Sequence, residues 1–297
     1  MNKQRPSWRH HYLPQCYLKG FTNEDGNIFV YDKNKDLIYK SWPKDVFFEK
    51  DRNAIFSPKN GEKIDILEPL YAHIDGIFAD VLRKVIESNP SVPALSHFDK
   101  LQFSLCLSVL FCRIPTTDDE FEKIIDEKGF EGAPFHLIDP VTGEPARKDI
   151  QEMLLAHPGM RKSYRLMYAF APFYKKKNLQ RAHEWKFYYQ DPGFHISGDN
   201  PFIHPTKVPV EEVLQEFIFP VAQNRLIINS DRFPAENFSR EFALHFATAI
   251  VHNSERFLCC HREDWLRSVV EYYKFHQRYG KEDTIIPDLF NNNYCTI

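Results

Sequence analysis

Two adjacent histidines, His10 and His11, stand near the start of the chain within "RPSWRHHYLPQCYLKGF". Histidine titrates near neutral pH and serves as base, acid or metal ligand. Neighbouring residues of an extended segment point to opposite sides, so the two rings cannot share one role. Their apolar surroundings (Tyr12, Leu13, Tyr17, Leu18, Phe21) predict a packed anchor, with His11 buried and its ring hydrogen-bonded. Glu68 and Asp75 stand seven residues apart, which places them on one face of a helix, two turns apart. A paired set of acids beside a histidine suits general acid–base work or a hard divalent cation. The alternative is two solvated acids flanking an apolar stripe. Arg113 closes an otherwise apolar segment, where its charge needs a partner. It is either a salt bridge to Glu68 or Asp75, or a clamp for a phosphate or carboxylate.

Further along, Asp199 in "ISGDNPFI" is either an acid displayed at a strand end or an ordinary turn former. Asn253 sits late in a helix, where asparagine is disfavoured, so a specific hydrogen bond is expected. Gln15 and Arg113 join Asn253 as substrate-binding candidates, against a structural reading of Gln15. "RKSYRLMYAFAPFYKKKNLQRAHEWK" interleaves Arg161, Arg165, Lys175, Lys176, Lys177 and Arg181 with tyrosines. Cations neutralise phosphates and aromatics stack on bases, so nucleic acid bound by its backbone is one partner. The other reading is an internal contact with the acidic residues 116–152, which hold 11 Asp/Glu against 4 Lys/Arg. "EWK" resembles half of a nuclease E-x-K strand without its upstream aspartate. Cys259-Cys260-His261 chelates poorly, because adjacent cysteines cannot both reach one ion and no second pair follows.

Elements that must carry these residues can be read from periodicity. "NIFVYDKNKDLIYKS" is a hairpin turning at "DKNKD", and "KDVFFEKD" is a third short strand. Ile66, Leu70, Ile74, Ile77, Val81 and Val85 recur at three and four, which predicts a helix over 65–88. The stretch 97–113 is apolar almost all round and predicts a central helix. Further helices are expected at 162–180, 239–256 and 262–276, with short strands between 184 and 229. The segregation of helices from strands predicts an α+β fold, a helical core with short antiparallel sheets. One large domain is expected over 1–280, with an acidic insertion at about 116–152 and a polar tail over 281–297.

Composition bounds the rest. The chain has 297 residues, 43% of them hydrophobic, and a net charge of −3. It can bury a large core, and its surface as a whole is no nucleic-acid footprint. Glycine is scarce at 11 residues, and no G-x-G-x-x-G, P-loop or G-x-S-x-G is present, which argues against dinucleotide and P-loop folds. The polar, basic start and the short apolar runs predict a cytoplasmic protein with no membrane partner. Cys16, Cys106, Cys112, Cys259, Cys260 and Cys295 are expected as reduced thiols.

"HHYLPQCYLKGF" followed by "IFVYDK" resembles a bacterial family of domains of unknown function that opens with His-x-x-Pro-Gln-x-Tyr/Phe-Leu-x-x-Phe. "LEPLYAHID" is similar to that family's acidic-helix element, with Asp75 where the family has Glu. "FCRIP" is similar to its Arg-x-Pro helix end. "ISGDNPFI" is similar to its Ser-Asp-Asn-Pro element, with Gly198 inserted. "IFPVAQNRLIIN" and "IVHNSERFL" are similar to its last two elements. The resemblance selects His11 over His10 and implies a bacterial or mobile-element origin. It implies no activity. Three readings stand: a phosphodiester hydrolase, such as a nuclease acting against foreign DNA; a non-catalytic module binding nucleic acid or protein; and a small-molecule sensor. The hydrolase reading takes His11, Glu68, Asp75 and Asp199 as catalytic groups, with the cofactor left open and a divalent metal as one candidate.

Overall fold

The computed structural model describes residues 8–57, 59–88, 93–131, 133, 135–174, 185–233 and 239–291. The chain folds as a single α+β domain, with helices over the core and several short antiparallel sheets. Lys175, Lys176, Lys177, Arg181, Glu184 and Cys295 lie outside the described residues.

Strand β1 (Arg9–His11) pairs antiparallel with β4 (Phe48–Lys50), with His11 opposite Phe48. The hairpin of β2 (Ile28–Asp32) and β3 (Leu37–Ser41) turns at the "DKNKD" segment. The third strand of that region therefore closes on the N-terminus rather than extending the hairpin. β5 (Ile55–Phe56) and β6 (Lys63–Ile64) form a small ribbon. β7 (Lys186–Tyr189), β9 (Phe217–Ala222) and β10 (Arg225–Asn229) form a three-stranded sheet with β10 in the middle. β8 (Ser197–Gly198) and β11 (Phe257–Cys260) extend the hairpin into the order β3-β2-β11-β8. Every residue of β9 and β10 is buried, and the apolar runs Phe217–Ala222 and Leu226–Ile228 reflect core on both faces.

Helix α1 (Gln15–Leu18) is a single turn that packs on α2 (Leu67–Glu87). α2 packs in turn on α3 (His97–Arg113). Ser96 and Asp99 form a capping box at the start of α3, and Lys84 Nζ on α2 donates to Asp99 at 2.5 Å. The expected stripe of α2 holds only in part. Val81 and Val85 are buried, but Ile66 and Leu70 are 54% and 51% exposed. Ile66 precedes the first turn, and Leu67 and Tyr71 take the inward positions instead. That rotation turns Glu68 and Asp75 toward the N-terminal segment.

α4 (Asp118–Lys128), α5 (Lys148–Ala156) and α6 (Pro158–Tyr168) follow. The helix expected over 162–180 starts earlier, behind the His157 cap and Pro158, and stops at Tyr168. Pro172 cannot continue it, and a 3-10 turn follows at Ala171–Tyr174. α7 (Arg240–Asn253) and α8 (Glu263–Arg278) pack together. α9 (Ile285–Asn291) lies on α7 with Leu289 and Phe290 buried, so the stretch expected as a polar tail contributes a core helix.

Two contiguous clusters fill the interior. One gathers Tyr17, Phe78, Phe103 and Phe219 beneath α1–α3. The other gathers Phe242, Phe246, Leu258 and Leu289 beneath α7–α9. Gly193 marks a close approach beside the second. A Cβ there would stand 2.6 Å from the Gln223 carbonyl oxygen. That oxygen accepts the His195 N–H at 2.9 Å, and the Gln223 N–H donates to Gly20 at 2.8 Å, so the peptide is held on both sides. Gly193→Ala should therefore lower stability by about 1–3 kcal/mol, read as a reduced urea midpoint with unchanged slope. A wild-type midpoint would show that this loop yields freely.

Candidate active site

β1, α1, α2 and the end of α3 meet at an open cleft of about 430 Å³. Its polar lining consists of Arg9 and His11 from β1, Gln15 and Cys16 from α1, Glu68 and Asp75 from α2, and Arg113 from α3. Four of the residues singled out as chemical groups, His11, Glu68, Asp75 and Arg113, are thus brought together, with Gln15 at the rim.

His11 is half-buried rather than buried. Burial, and then the charge of Arg113, push its pKa down to about 4, so the ring is neutral at pH 7. The Lys44 backbone opposes that shift. Nε2 is buried without a hydrogen-bond partner. Unsatisfied buried polar atoms are rare and tend to mark functional positions.

Arg113 Nη1 donates to Asp75 Oδ1 at 2.7 Å. The guanidinium is 3% exposed and lies 4.6 Å over the Tyr71 ring. Its Nε is buried without a partner. At the C-terminus of α3 the positive charge also meets the negative end of the helix dipole. Burial raises the pKa of Asp75, and Arg113 opposes that shift. Glu68 Oε1 accepts from Asn53 Nδ2 at 2.5 Å and stands 3.4 Å from His10 Nδ1. His10 is fully buried and its Nδ1 accepts the Asn53 backbone N–H at 2.9 Å. The two histidines therefore serve opposite faces of β1. One lines the cleft, and the other helps to seat an acid of the same cleft.

Sequence reasoning passed over Arg9, Cys16, His10 and Asn53. Arg9 had a readable signal, because it alternates with His11 on one strand face. It donates to Asp45 at 2.5 Å and stacks on Trp8 and Phe48. Cys16 is no nucleophile at neutral pH, since burial and nearby Asp75 push its pKa up to about 12. Asn53 and its link to Glu68 had no local signal.

Asp199 and Asn253 lie elsewhere. Asp199 is buried, and its carboxylate accepts the N–H groups of Glu255, Arg256 and Phe257 at 2.9, 2.7 and 2.8 Å. It fastens the β8 end to the start of β11, which accounts for an acid at that strand end without chemistry. Burial raises its pKa, opposed by those three bonds. Asn253 donates to the carbonyls of Phe202 and Asn200 at 2.7 and 3.4 Å, and so borders a different cleft. Of His11, Glu68, Asp75, Arg113 and Asp199, the cleft thus gathers the first four and not Asp199.

Arg161 and Arg165 make the internal contact with the acidic stretch that the sequence offered as the other reading. Arg161 pairs with Glu122 and Asp126 of α4 at 2.5 and 2.7 Å. Arg165 pairs with Asp118 at 2.5 Å and stacks on Phe121. Lys186 of the "EWK" stretch donates to the Phe233 carbonyl at 2.7 Å. Among the described residues, no group of three or more His, Cys, Asp or Glu is arranged to hold a metal ion. Cys16, Cys106, Cys112, Cys259 and Cys260 are free thiols. No helix among the described residues is long and apolar enough to cross a membrane.

Fold and cleft together define an α+β protein with a charged, histidine-bearing cleft between its N-terminal segment and its first two long helices. The chain belongs to the family described as "Protein of unknown function (DUF4238)", whose sequence profile matches residues 9–264. Comparison with curated proteins and with solved structures finds no match.

Proposed function

We propose that the protein is a hydrolase of phosphodiesters, a nuclease of the bacterial cytoplasm acting against foreign DNA, and that the His11 cleft is its active site. The observation that carries this reading is the meeting of His11, Glu68, Asp75 and Arg113 in one cleft, with His11 Nε2 and Arg113 Nε both lacking partners. Arg113 and Arg9 would hold the phosphate anion. His11, neutral at pH 7, would take a proton from the attacking water through Nε2 as water oxygen bonds to phosphorus. His11 would then pass that proton to the leaving oxygen as the P–O bond breaks, while Asp75, ion-paired with Arg113, holds the guanidinium in place. The arrival of an anion offsets the Arg113 charge that depresses His11, so substrate binding strengthens the base.

The test uses bis(p-nitrophenyl) phosphate and a labelled single-stranded oligonucleotide, with wild-type protein, His11→Ala and Asp75→Asn. At least one variant should keep the wild-type melting temperature and lose activity by about a hundredfold or more. If neither substrate is turned over, and both variants only melt lower, the four residues are structural and the reading fails. A small-molecule sensor is the second reading. It is favoured by Arg9 and Arg113 already being paired with acids, which leaves the cleft balanced in charge. Reversible binding of a small anion without turnover would select it. The binding-module reading, for nucleic acid or protein, rests on the basic stretch 161–186, within which Arg161 and Arg165 are paired with acids.

A further inference from the structure

A second cleft, of about 390 Å³, opens on the other side of the α3 end. It lies between Phe111 and Thr116, the loop around His204 and Lys207, the end of α7 at His252, and the turn before α9 at Asp283. We propose that this cleft binds an organic cation, an ammonium or guanidinium group carried by a small polar molecule.

Its lining is rich in acceptors. Thr116 Oγ1 and His252 Nδ1 are buried and have no hydrogen-bond partner. Polar atoms left without partners are costly, and the Thr116 hydroxyl oxygen and an imidazole nitrogen can each accept from a ligand donor. The surroundings are negative. Glu120 and Asp283 line the cleft, and Glu255 nearby has its pKa raised by burial and then by the charges of Asp199, Asp118 and Asp119. Such a field repels the anions that suit the arginine-lined cleft and attracts cations. The chain itself already places an ammonium there. Lys207 Nζ stands 3.5 Å from Glu120 Oε2, on a side chain that is 86% exposed. An exposed pair of this kind is weak, so a ligand cation can displace the lysine. Asn253, fixed by its two bonds to backbone carbonyls, presents an amide to the ligand's polar substituents. The inference does not depend on hydrolysis in the first cleft.

The experiment is titration of the whole protein with methylguanidinium and with spermidine, followed by calorimetry and backbone amide NMR. Inorganic phosphate serves as the anionic control, at a fixed salt concentration of about 150 mM, which screens unspecific attraction. Saturable binding of a cation is expected, with amide shifts concentrated at residues 116–120, 204–207, 252–253 and 282–283. Asp283→Asn, at an exposed position, should weaken binding by about fivefold or more while the melting temperature holds. Thr116→Val should weaken it as well, by a smaller factor. Binding of phosphate in this cleft, the absence of saturable binding by either cation, or equal affinity in Asp283→Asn and wild type would each overturn the assignment.

Discussion

Arg113→Met should lower the unfolding free energy by about 3 kcal/mol, a loss at the lower end of what breaking a buried ion pair costs. The substitution keeps an unbranched apolar stem and removes the guanidinium with its charge and donors. Asp75 then stays at the cleft wall with burial raising its pKa and no guanidinium to oppose that shift. Tyr71 also loses the cation 4.6 Å above its ring. Part of the loss is offset, because the partnerless Nε disappears with the guanidinium. The decisive measurement is the double variant. Arg113→Met with Asp75→Leu removes both charges, and it should recover most of the lost stability, since two apolar residues replace a pair whose desolvation was itself expensive. Urea unfolding of the three variants checks this. Wild-type stability in Arg113→Met would mean that Asp75 needs no partner. A double variant as unstable as Arg113→Met would mean that the pair fills space and nothing more.

Acidification should destabilise the fold well above the pH at which its carboxylates protonate. Burial lowers the pKa of His195 to about 3 and of His204 to about 4. Burial likewise lowers His11 and His261 to about 4. In the unfolded chain each returns to the ordinary value near 6.5. Between roughly pH 6.5 and 4 the unfolded state therefore holds protons that the folded state refuses. Stability is fully present above pH 6.5 and falls as pH drops through that window, by up to about 1.4 kcal/mol per pH unit for His195 alone. Asp75 and Asp199 act in the opposite sense, because their folded pKa values are raised, and they return stability only nearer the carboxylate range. His195 gives the cleanest handle. Both of its ring nitrogens are buried without partners, and its ring lies edge-on to Phe246. His195→Leu should flatten the acid slope and raise stability at pH 7, since an apolar residue leaves no unsatisfied group. Denaturant melts at pH 7.5, 6 and 5 for both proteins decide it. Equal slopes in the two would remove His195 from the explanation.

The parts of the fold that a reader of the sequence could place were those whose signal is local. The hairpin from Ile28 to Ser41 declares its turn, and α3 declares itself through an apolar run closed by Arg113 and Pro115. The pairing of β1 with β4 joins residues some forty positions apart and has no periodic trace. α9 carried a weak signal, Ile285 and Leu289 at a helical spacing, diluted by Pro287 and by the polar residues around it. In the cleft, residue type and helical spacing singled out Glu68, Asp75, Arg113 and His11 as chemical groups. Asp199 misled because an acid before Asn-Pro has the same appearance whether it faces a substrate or ties down three peptide groups. The role of His10 was hidden because the Asn53 and Glu68 contacts exist only after folding.

The charge pairs between α4 and α6 bear on how this chain tolerates change of length. Arg161 and Arg165 close a clasp with Glu122, Asp126 and Asp118, and residues 129–157 run out and back between its two halves. Once the ends of such an excursion are fixed, each doubling of its length adds only about 0.6 kcal/mol of closure entropy. The helix between them, α5, has no buried residue of its own. Phe130 is nevertheless buried, and Phe135, Leu137, Leu154 and Leu155 pack on the core, so freedom to lengthen or to accept an inserted tag belongs to the exposed turn at 139–144, while the cleft lined by His11 and Arg113 keeps its geometry.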